Sequence, residues 1–370
     1  MLPKLILLIT FGIIACNAYS DKEVSYRPLE WTGGLFQWPC EATKAIYKKS
    51  GRYIGKNVIA TRGQIYKDEA ILALPRYKPG VPVTLAKVSL NQQGCESVLT
   101  PFPCWSAQDE NSQDGLISVV DLFIDAQEIL WILDVGVANS LEQPIRHSKP
   151  KVVAYDMKTG KMLKTLDLSG LVVQASRLQY IAVEYCGEGK PYVYVSDAAT
   201  RSILVFDIVL NKGYRVALPK AILTGTSRRD VLYMALVQKG CGNNFLIFTY
   251  LSSTRVFSLR TDYLRAGSAA GKVTDLGPKP HKLVIVGTDL GSAIFFRYEG
   301  RPEIYRWDVN TTFSTENFVV VYKSQSCMLA TSAFADIKRQ RIRVLESNFP
   351  DFIQNTVGCG AVQQVNIIGQ

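Results

Sequence analysis

Short runs of apolar and aromatic residues, each stopped by Gly, Asp, Ser or Pro, follow one another from about residue 57 to the C-terminus, whereas apolar residues at helical spacing are scarce. The stretch YVYVSDAATRSILVFDI (192–208) shows the unit. A continuous apolar run ends on Ser196 and Asp197, a polar break follows, and a second run begins. A run that does not alternate predicts a strand covered on both faces. The unit has five echoes: AILALPRYKPGVPVTLAKV (70–88), ILWILDVGVANS (129–140), NFLIFTYLSSTRVFSLRT (244–261), AIFFRYEGRPEIYRWDV (293–309) and IRVLESNFPDFI (342–353). Their strand-ending residues Pro75, Asp134, Asp197, Ser252, Glu299 and Ser347 recur with a period of roughly 50 residues, the length of a four-stranded sheet with its turns. Six such units predict an all-β fold, a six-bladed β-propeller, in which each sheet buries its faces against its neighbours. Asp134 and Asp197 then read as turn formers, because a carboxylate at a strand end accepts from nearby backbone N–H groups.

The first twenty residues, MLPKLILLITFGIIACNAYS, carry one cation at Lys4, an apolar stretch from Leu5 to Ala15, and small residues at Cys16 and Ala18. This is the pattern of a cleaved secretory leader. The apolar run is well short of the roughly 20 residues that cross a bilayer, and no later segment comes close. Residues 1–20 are therefore expected to be a signal peptide and 21–370 a single propeller domain, secreted and extracellular, with no membrane span. The 370-residue chain is 47% hydrophobic and 20% charged, ample for a packed core, and its net charge of +10 is scattered rather than gathered in a stripe. Scattered basic charge on an exported chain argues against nucleic acid and for an acidic matrix, glycan or cell surface. Eight cysteines, one of them in the leader, leave an odd number in an oxidising compartment. Asn310-Thr311-Thr312 is the sole glycosylation sequon.

Chemistry is sparse. No HExxH, CxxC or EF-hand pattern is present, so neither a metal nor a cofactor is expected. His147 in RHSKPK and His281 in PKPHKL stand in loop-like segments and do not read as buried bases, which leaves no catalytic residue identified. AGSAAGKVT (266–274) has three residues where a phosphate loop needs four between its glycines, and KRQRIR (338–343) reads as a solvated hairpin tip.

At PRYKPGVPVTLAKV (75–88) and LWILDVG (130–136) the sequence resembles the insect yellow and major royal jelly protein family. The likeness continues through FPCWS (102–106), KPKVVAYDMKTGKML (149–163), SDAATRSILVFD (196–207) and RIRVLESNFPDFI (341–353). FQWPCEATKAIYKKSG (36–51), together with Cys104 where most members have an acidic residue, is most similar to the yellow-g branch. The resemblance implies a secreted six-bladed propeller. It also implies a choice of roles: cuticle pigmentation, dopachrome conversion, amine binding in the saliva of biting flies, or nutrition. Members similar to yellow-g are associated with egg coverings. The expected function is thus a non-enzymatic component of the eggshell (chorion or vitelline membrane), with eggshell or extracellular matrix proteins as partners. The alternatives are a binder of small aromatic amines or quinones in the axial channel and a dopachrome-converting enzyme.

Departures from the family pattern set further expectations. A bridge common in the family is missing as a pair, with Ser112 and Ser148 at its aligned positions; such a bridge contributes about 2–4 kcal/mol. The CWN element is replaced by YRWDVNTTF (305–313), so Cys186 needs another partner, for which Cys241 is the candidate. Cys95 and Cys104 are close enough to pair across one loop, Cys40 with Cys359 could join the two ends of the chain, and Cys327 is left over. In amine-binding relatives a Thr, an Asn and a Phe line the axial pocket, and the aligned positions here are Ser332, Ser347 and Phe349. Ser332 keeps a hydroxyl and Phe349 an aromatic face for a cation. Ser347 is too short to match the paired donor and acceptor of an amide.

Overall fold

The computed structural model describes residues 28–92, 97–112, 114–186, 189–223, 230–240, 243–325 and 327–368. The expected leader (1–20), Cys95 and Cys241 lie outside the described residues. After β1 (Leu29–Thr32) and helix α1 (Glu41–Lys49), the chain lays down β2 (Arg62–Tyr66), β3 (Glu69–Ala73), β4 (Leu85–Ser89) and β5 (Thr100–Pro101), paired in that order. The second sheet is β6 (Val119–Ile124), β7 (Ile129–Asp134), β10 (Lys151–Asp156) and β11 (Met162–Asp167); a ribbon of β8 (Val137–Ala138) and β9 (Ile145–Arg146) projects between β7 and β10. The third runs β12 (Leu178–Cys186), β13 (Lys190–Asp197), β14 (Ser202–Asp207), β15 (Lys212–Ala217). The fourth runs β16 (Leu232–Lys239), β17 (Asn243–Tyr250), β18 (Arg255–Arg260), then, after α2 (Thr261–Arg265), β19 (Thr274–Pro278). Last come β20 (Leu283–Thr288), β21 (Ala293–Tyr298), β22 (Glu303–Asp308) and β23 (Phe318–Lys323), followed by β24 (Leu329–Asp336), β25 (Arg341–Ser347), α3 (Phe349–Gln354) and β26 (Val362–Ile368).

The fold is all-β and propeller-like. The apolar runs recognised in the sequence fall on the second strands, β3, β7, β13, β17, β21 and β25, each covered on both faces over most of its length. Successive sheets share apolar cores: Ile71 and Leu85 with Val119 and Leu122, Leu133 with Val193, Ile203 with Leu246, Ile247 with Phe296. The first sheet also shares a core with the last, through Leu72, Phe334, Leu345 and Val365. First strands touch in the order β2, β6, β12, β16, β20, β24, and β24 touches β2. Between β20 and β24 the approach is close enough for one parallel bridge, Gly287 to Ala333. A Cβ on Gly287 would lie 1.8 Å from the Ala333 carbonyl oxygen, so only glycine fits there.

Strand-end carboxylates act as the turn formers expected of them. Asp134 accepts from the backbone N–H groups of Ile117, Ser118 and Gly136, and Asp197 from those of Arg177, Ala199 and Thr200. Each ties the end of a second strand to the start of the first. The KRQRIR segment also departs from a merely solvated tip: Lys338 and Arg339 pair with Asp68 in the turn between β2 and β3, and Arg343 pairs with Asp336. AGSAAGKVT forms the turn between α2 and β19.

The ends of the chain meet by strand pairing rather than through sulfur. β1 runs antiparallel to β26, Leu29 opposite Val365 and Thr32 opposite Val362, and forms the outer end of the eight-stranded sheet β1-β26-β25-β24-β20-β21-β22-β23. Cys40, Cys104 and Cys359 carry no disulfide. This corrects the expected Cys40–Cys359 and Cys95–Cys104 bridges: the Cys40 thiol caps α1, 3.5 Å from the Thr43 N–H, and the Cys104 thiol lies 3.1 Å from the Ser106 hydroxyl. Cys327 is also unbonded, and Cys186 ends β12 opposite Lys190. Trp31 in β1 is fully buried. Trp31→Ala is therefore expected to lower the unfolding free energy by about 3–5 kcal/mol in urea denaturation. Ile46→Ala on the exposed side of α1 should change it by less than about 0.5 kcal/mol. Equal small losses in both would mean that β1 does not hold the ends together.

Candidate functional site

All the sheets contribute to a cavity of about 650 Å³ where the first strands converge, lined among others by Arg62, Val120, Tyr180, Tyr233, Arg297 and Thr331. A smaller cavity of about 80 Å³ lies further along the same strands, with Gln64, Asp121, Ala235 and Ser332 in its wall. Arg62 and Tyr180 border both.

Breaks in strand register explain why these side chains point inward. Pairing shifts between Val119 and Asp121, Leu178 and Ile181, Ile285 and Gly287, and Ala330 and Ser332. An extra residue in one strand re-aims side chains and leaves its backbone groups without ladder partners. Val120, Gln179, Tyr180 and Thr331 stand at these breaks and line the larger cavity. The freed carbonyls become acceptors: Arg62 Nη1 donates to Val286 O at 3.3 Å and to Thr331 O at 3.1 Å, and Arg297 Nε donates to Ala330 O at 2.8 Å.

Arg62 is the hub. Its guanidinium lies 4.5 Å from the centre of the Tyr180 ring, which in turn is 5.4 Å from that of Tyr233. Its Nε is 3.7 Å from Asp121 Oδ1, while Asp121 Oδ2 accepts from Ile181 N–H at 2.8 Å. Burial pushes the Asp121 carboxyl up to about 6, overcoming the pull of Arg62. Burial also raises the hydroxyls of Tyr77, Tyr180 and Tyr233, so they remain neutral hydrogen-bonding groups rather than bases. Arg177 donates through Nη2 to Asp230 O at 2.6 Å, and its buried Nε has no protein partner.

The three residues expected at the pocket are not brought together. Phe349, first residue of α3, does line the larger cavity. Ser332 faces the smaller one, and Ser347 is buried in neither, its hydroxyl without a partner. The register break at Thr331 is the reason: it places Thr331, one residue earlier, in the wall with Phe349. Neither histidine lines either of these two cavities; His147 lies 3.6 Å from Glu110 and His281 stands edge-on to Tyr298. Among the described residues no three His, Cys, Asp or Glu are grouped to hold a metal ion, and no helix is long and apolar enough to cross a membrane. The arginines and tyrosines of the cavity were missed by sequence reasoning, although one signal existed: Asp121 interrupts the otherwise apolar run VVDLFI.

Comparison with known proteins places these features. L-dopachrome tautomerase yellow-f of Drosophila melanogaster is 23% identical over 82% of this chain and 77% of its own. Dopaminechrome tautomerase of the same fly is 26% identical, over 45% of this chain and only 37% of the relative's length. Among solved structures, an α-L-arabinofuranosidase from Fusarium graminearum has a TM-score of 0.53 at 10% identity, covering 92% of this chain and 97% of that one, a likeness of fold alone. Residues 117–369, which hold every cavity residue described above except those around Arg62 and Tyr77, match the model of the major royal jelly protein family. By that match the chain belongs to the major royal jelly protein family, in which the yellow proteins also stand.

Proposed function

We propose that the protein is a secreted, closed six-bladed propeller whose axial cavity binds a small aromatic molecule of the catechol or quinone class. The cyclic order of contacts among first strands and the core shared by the first and last sheets support the closed ring. Asn310, exposed in the turn after β22, suits glycosylation of an exported chain. The observation that carries the ligand class is the cavity wall. About 650 Å³ falls within the range of small-molecule sites, and the Tyr180–Tyr233 pair with Phe349 offers aromatic faces. Amines fit less well, since the lining holds four arginines and no carboxylate or imidazole.

Calorimetric titration with catechols and their o-quinones tests this reading. One saturable site is expected, with affinity reduced about tenfold or more in Phe349→Ala and Tyr180→Ala, the loss of an aromatic contact. Absence of heat with every member of such a panel would reject it.

Conversion of the bound quinone is a second reading, supported by the likeness to yellow-f, named as an L-dopachrome tautomerase. Of the residues lining the two cavities, the one carboxylate is Asp121, raised to about 6, in the wall of the smaller cavity and across Arg62 from the larger. Its ionised form would be the base, so the rate of dopachrome loss should rise as pH increases through about 6 and level off above it. Asp121→Asn should remove that rise. Loss no faster than with heat-denatured protein, followed by absorbance, would leave binding alone.

Where the protein acts is a separate matter, and the resemblance to the yellow-g branch points to the eggshell matrix. Transcripts confined to ovarian follicle cells, and fragile eggs on silencing, are the expected outcome. Uniform expression in cuticle or salivary gland would reject it.

A further inference from the structure

Resting on the cavity reading above, we infer that the ligand carries a carboxylate on its aromatic frame, seated against the guanidinium groups of Arg297 and Arg62.

Arg297 stands in the second strand of its sheet and is only 9% exposed. Nε donates to Ala330 O and Nη1 to Tyr298 O at 3.2 Å, which leaves most of its five N–H donors for the cavity it lines. Among the described residues no carboxylate lies within 4.0 Å of it. A guanidinium cannot escape burial by losing its proton, so an unpaired one is costly unless a counter-charge arrives from outside the chain.

Arg62 compounds the imbalance. Its Nη1 bonds to the carbonyl of Thr331, and Arg297 bonds to that of Ala330. Adjacent residues of β24 thus supply carbonyls to both cations, and both guanidinium groups line the larger cavity. The one carboxylate paired with either is Asp121, which touches Arg62 from the smaller cavity and is absent from the wall of the larger. Arg177 adds a third guanidinium, with a buried Nε that has no partner. Hydrogen-bond donors of one sign, converging on an aromatic-lined space, match a carboxylate, which accepts two parallel N–H bonds from a guanidinium. An ammonium group in the same place would meet two cations and no acceptor acid, and would be repelled.

Three catechols with the same ring and nearly the same length isolate the charge: 3-(3,4-dihydroxyphenyl)propionate, neutral 4-ethylcatechol and cationic dopamine. In calorimetry at pH 7 and low salt, the propionate is expected to bind about tenfold or more tighter than 4-ethylcatechol, as a charge-assisted pair allows, with dopamine the weakest. Added sodium chloride should weaken the propionate and leave 4-ethylcatechol nearly unchanged, a readout that needs no variant. Arg297→Gln should erase the gap between propionate and 4-ethylcatechol, whereas Phe349→Ala should weaken all three together. Equal affinity for propionate and 4-ethylcatechol, or tightest binding of dopamine, would overturn the carboxylate assignment and leave the aromatic cavity standing. Failure of all three to bind would overturn both.

Discussion

Pairing of β1 with β26 is the contact on which the arrangement of sheets depends. Each sheet is two-faced and leans on its neighbours, so a row with free ends would leave an apolar face of its first and last sheets in water. Joining ends more than three hundred residues apart carries a loop-closure cost of about 5 kcal/mol. The four residues of β1 offset it by burying Leu29 and Trp31, at about 1.5–3 kcal/mol each, in a core that already includes Leu72 of the first sheet and Leu345 and Val365 of the last. The ion pairs of Lys338 and Arg339 with Asp68 cross the same seam, but as half-exposed pairs they add little. A hydrophobic clasp of this kind needs no disulfide, which accords with the unbonded thiols of Cys40 and Cys359.

Once the first strands are held around one axis, their register sets the chemistry. A regular edge strand would present alternate side chains to the axis and leave alternate backbone groups of its outer edge unpaired at even spacing. Breaks in β6, β12, β20 and β24 do two things at once. They turn Val120, Tyr180 and Thr331 toward the cavity, and they release the carbonyls of Val286 and Thr331, which hold Arg62. The charged centre is thus anchored by backbone, and its position follows from strand geometry rather than from a surrounding set of acidic side chains.

This explains what could be read from the sequence and what could not. The second strands were legible because burial on both faces writes an unbroken apolar run, as in YVYV and ILWIL; the turn role of Asp134 and Asp197 followed from their place at the ends of those runs. The first strands were not, since they are apolar on one side and irregular on the other, and a period of two loses count at each bulge. Thr331 and Ser332 show the effect: neighbours at the break in β24, they face different cavities. Helix α1 escaped notice for another reason: it buries no residue, so it leaves no apolar stripe, and only the Cys40 cap and the basic residues of its last turn mark it. Arg62 and Arg297 carried no motif because their hydrogen-bond acceptors are peptide carbonyls, which no side-chain pattern encodes.

A cavity so built has an electrostatic consequence that its size and aromatic lining do not. Two buried guanidinium groups and one carboxyl cannot reach neutrality, and burial has lifted that carboxyl to about 6, above its ordinary 3.8. Because the folded chain holds this proton more tightly than the unfolded chain, Asp121 weakens folding increasingly as pH rises from about 4 to 6 and by a constant amount above that. Near neutral pH the chain therefore carries a standing cost for keeping Asp121 ionised beside Arg62, and a second for Arg297, which Glu299 reaches only from beyond ion-pair distance. Neither cost is needed to hold the sheets together, since apolar cores and the strand clasp already do that. The burden at Arg297 is a positive charge facing the larger cavity, and an anion in that cavity is what relieves it.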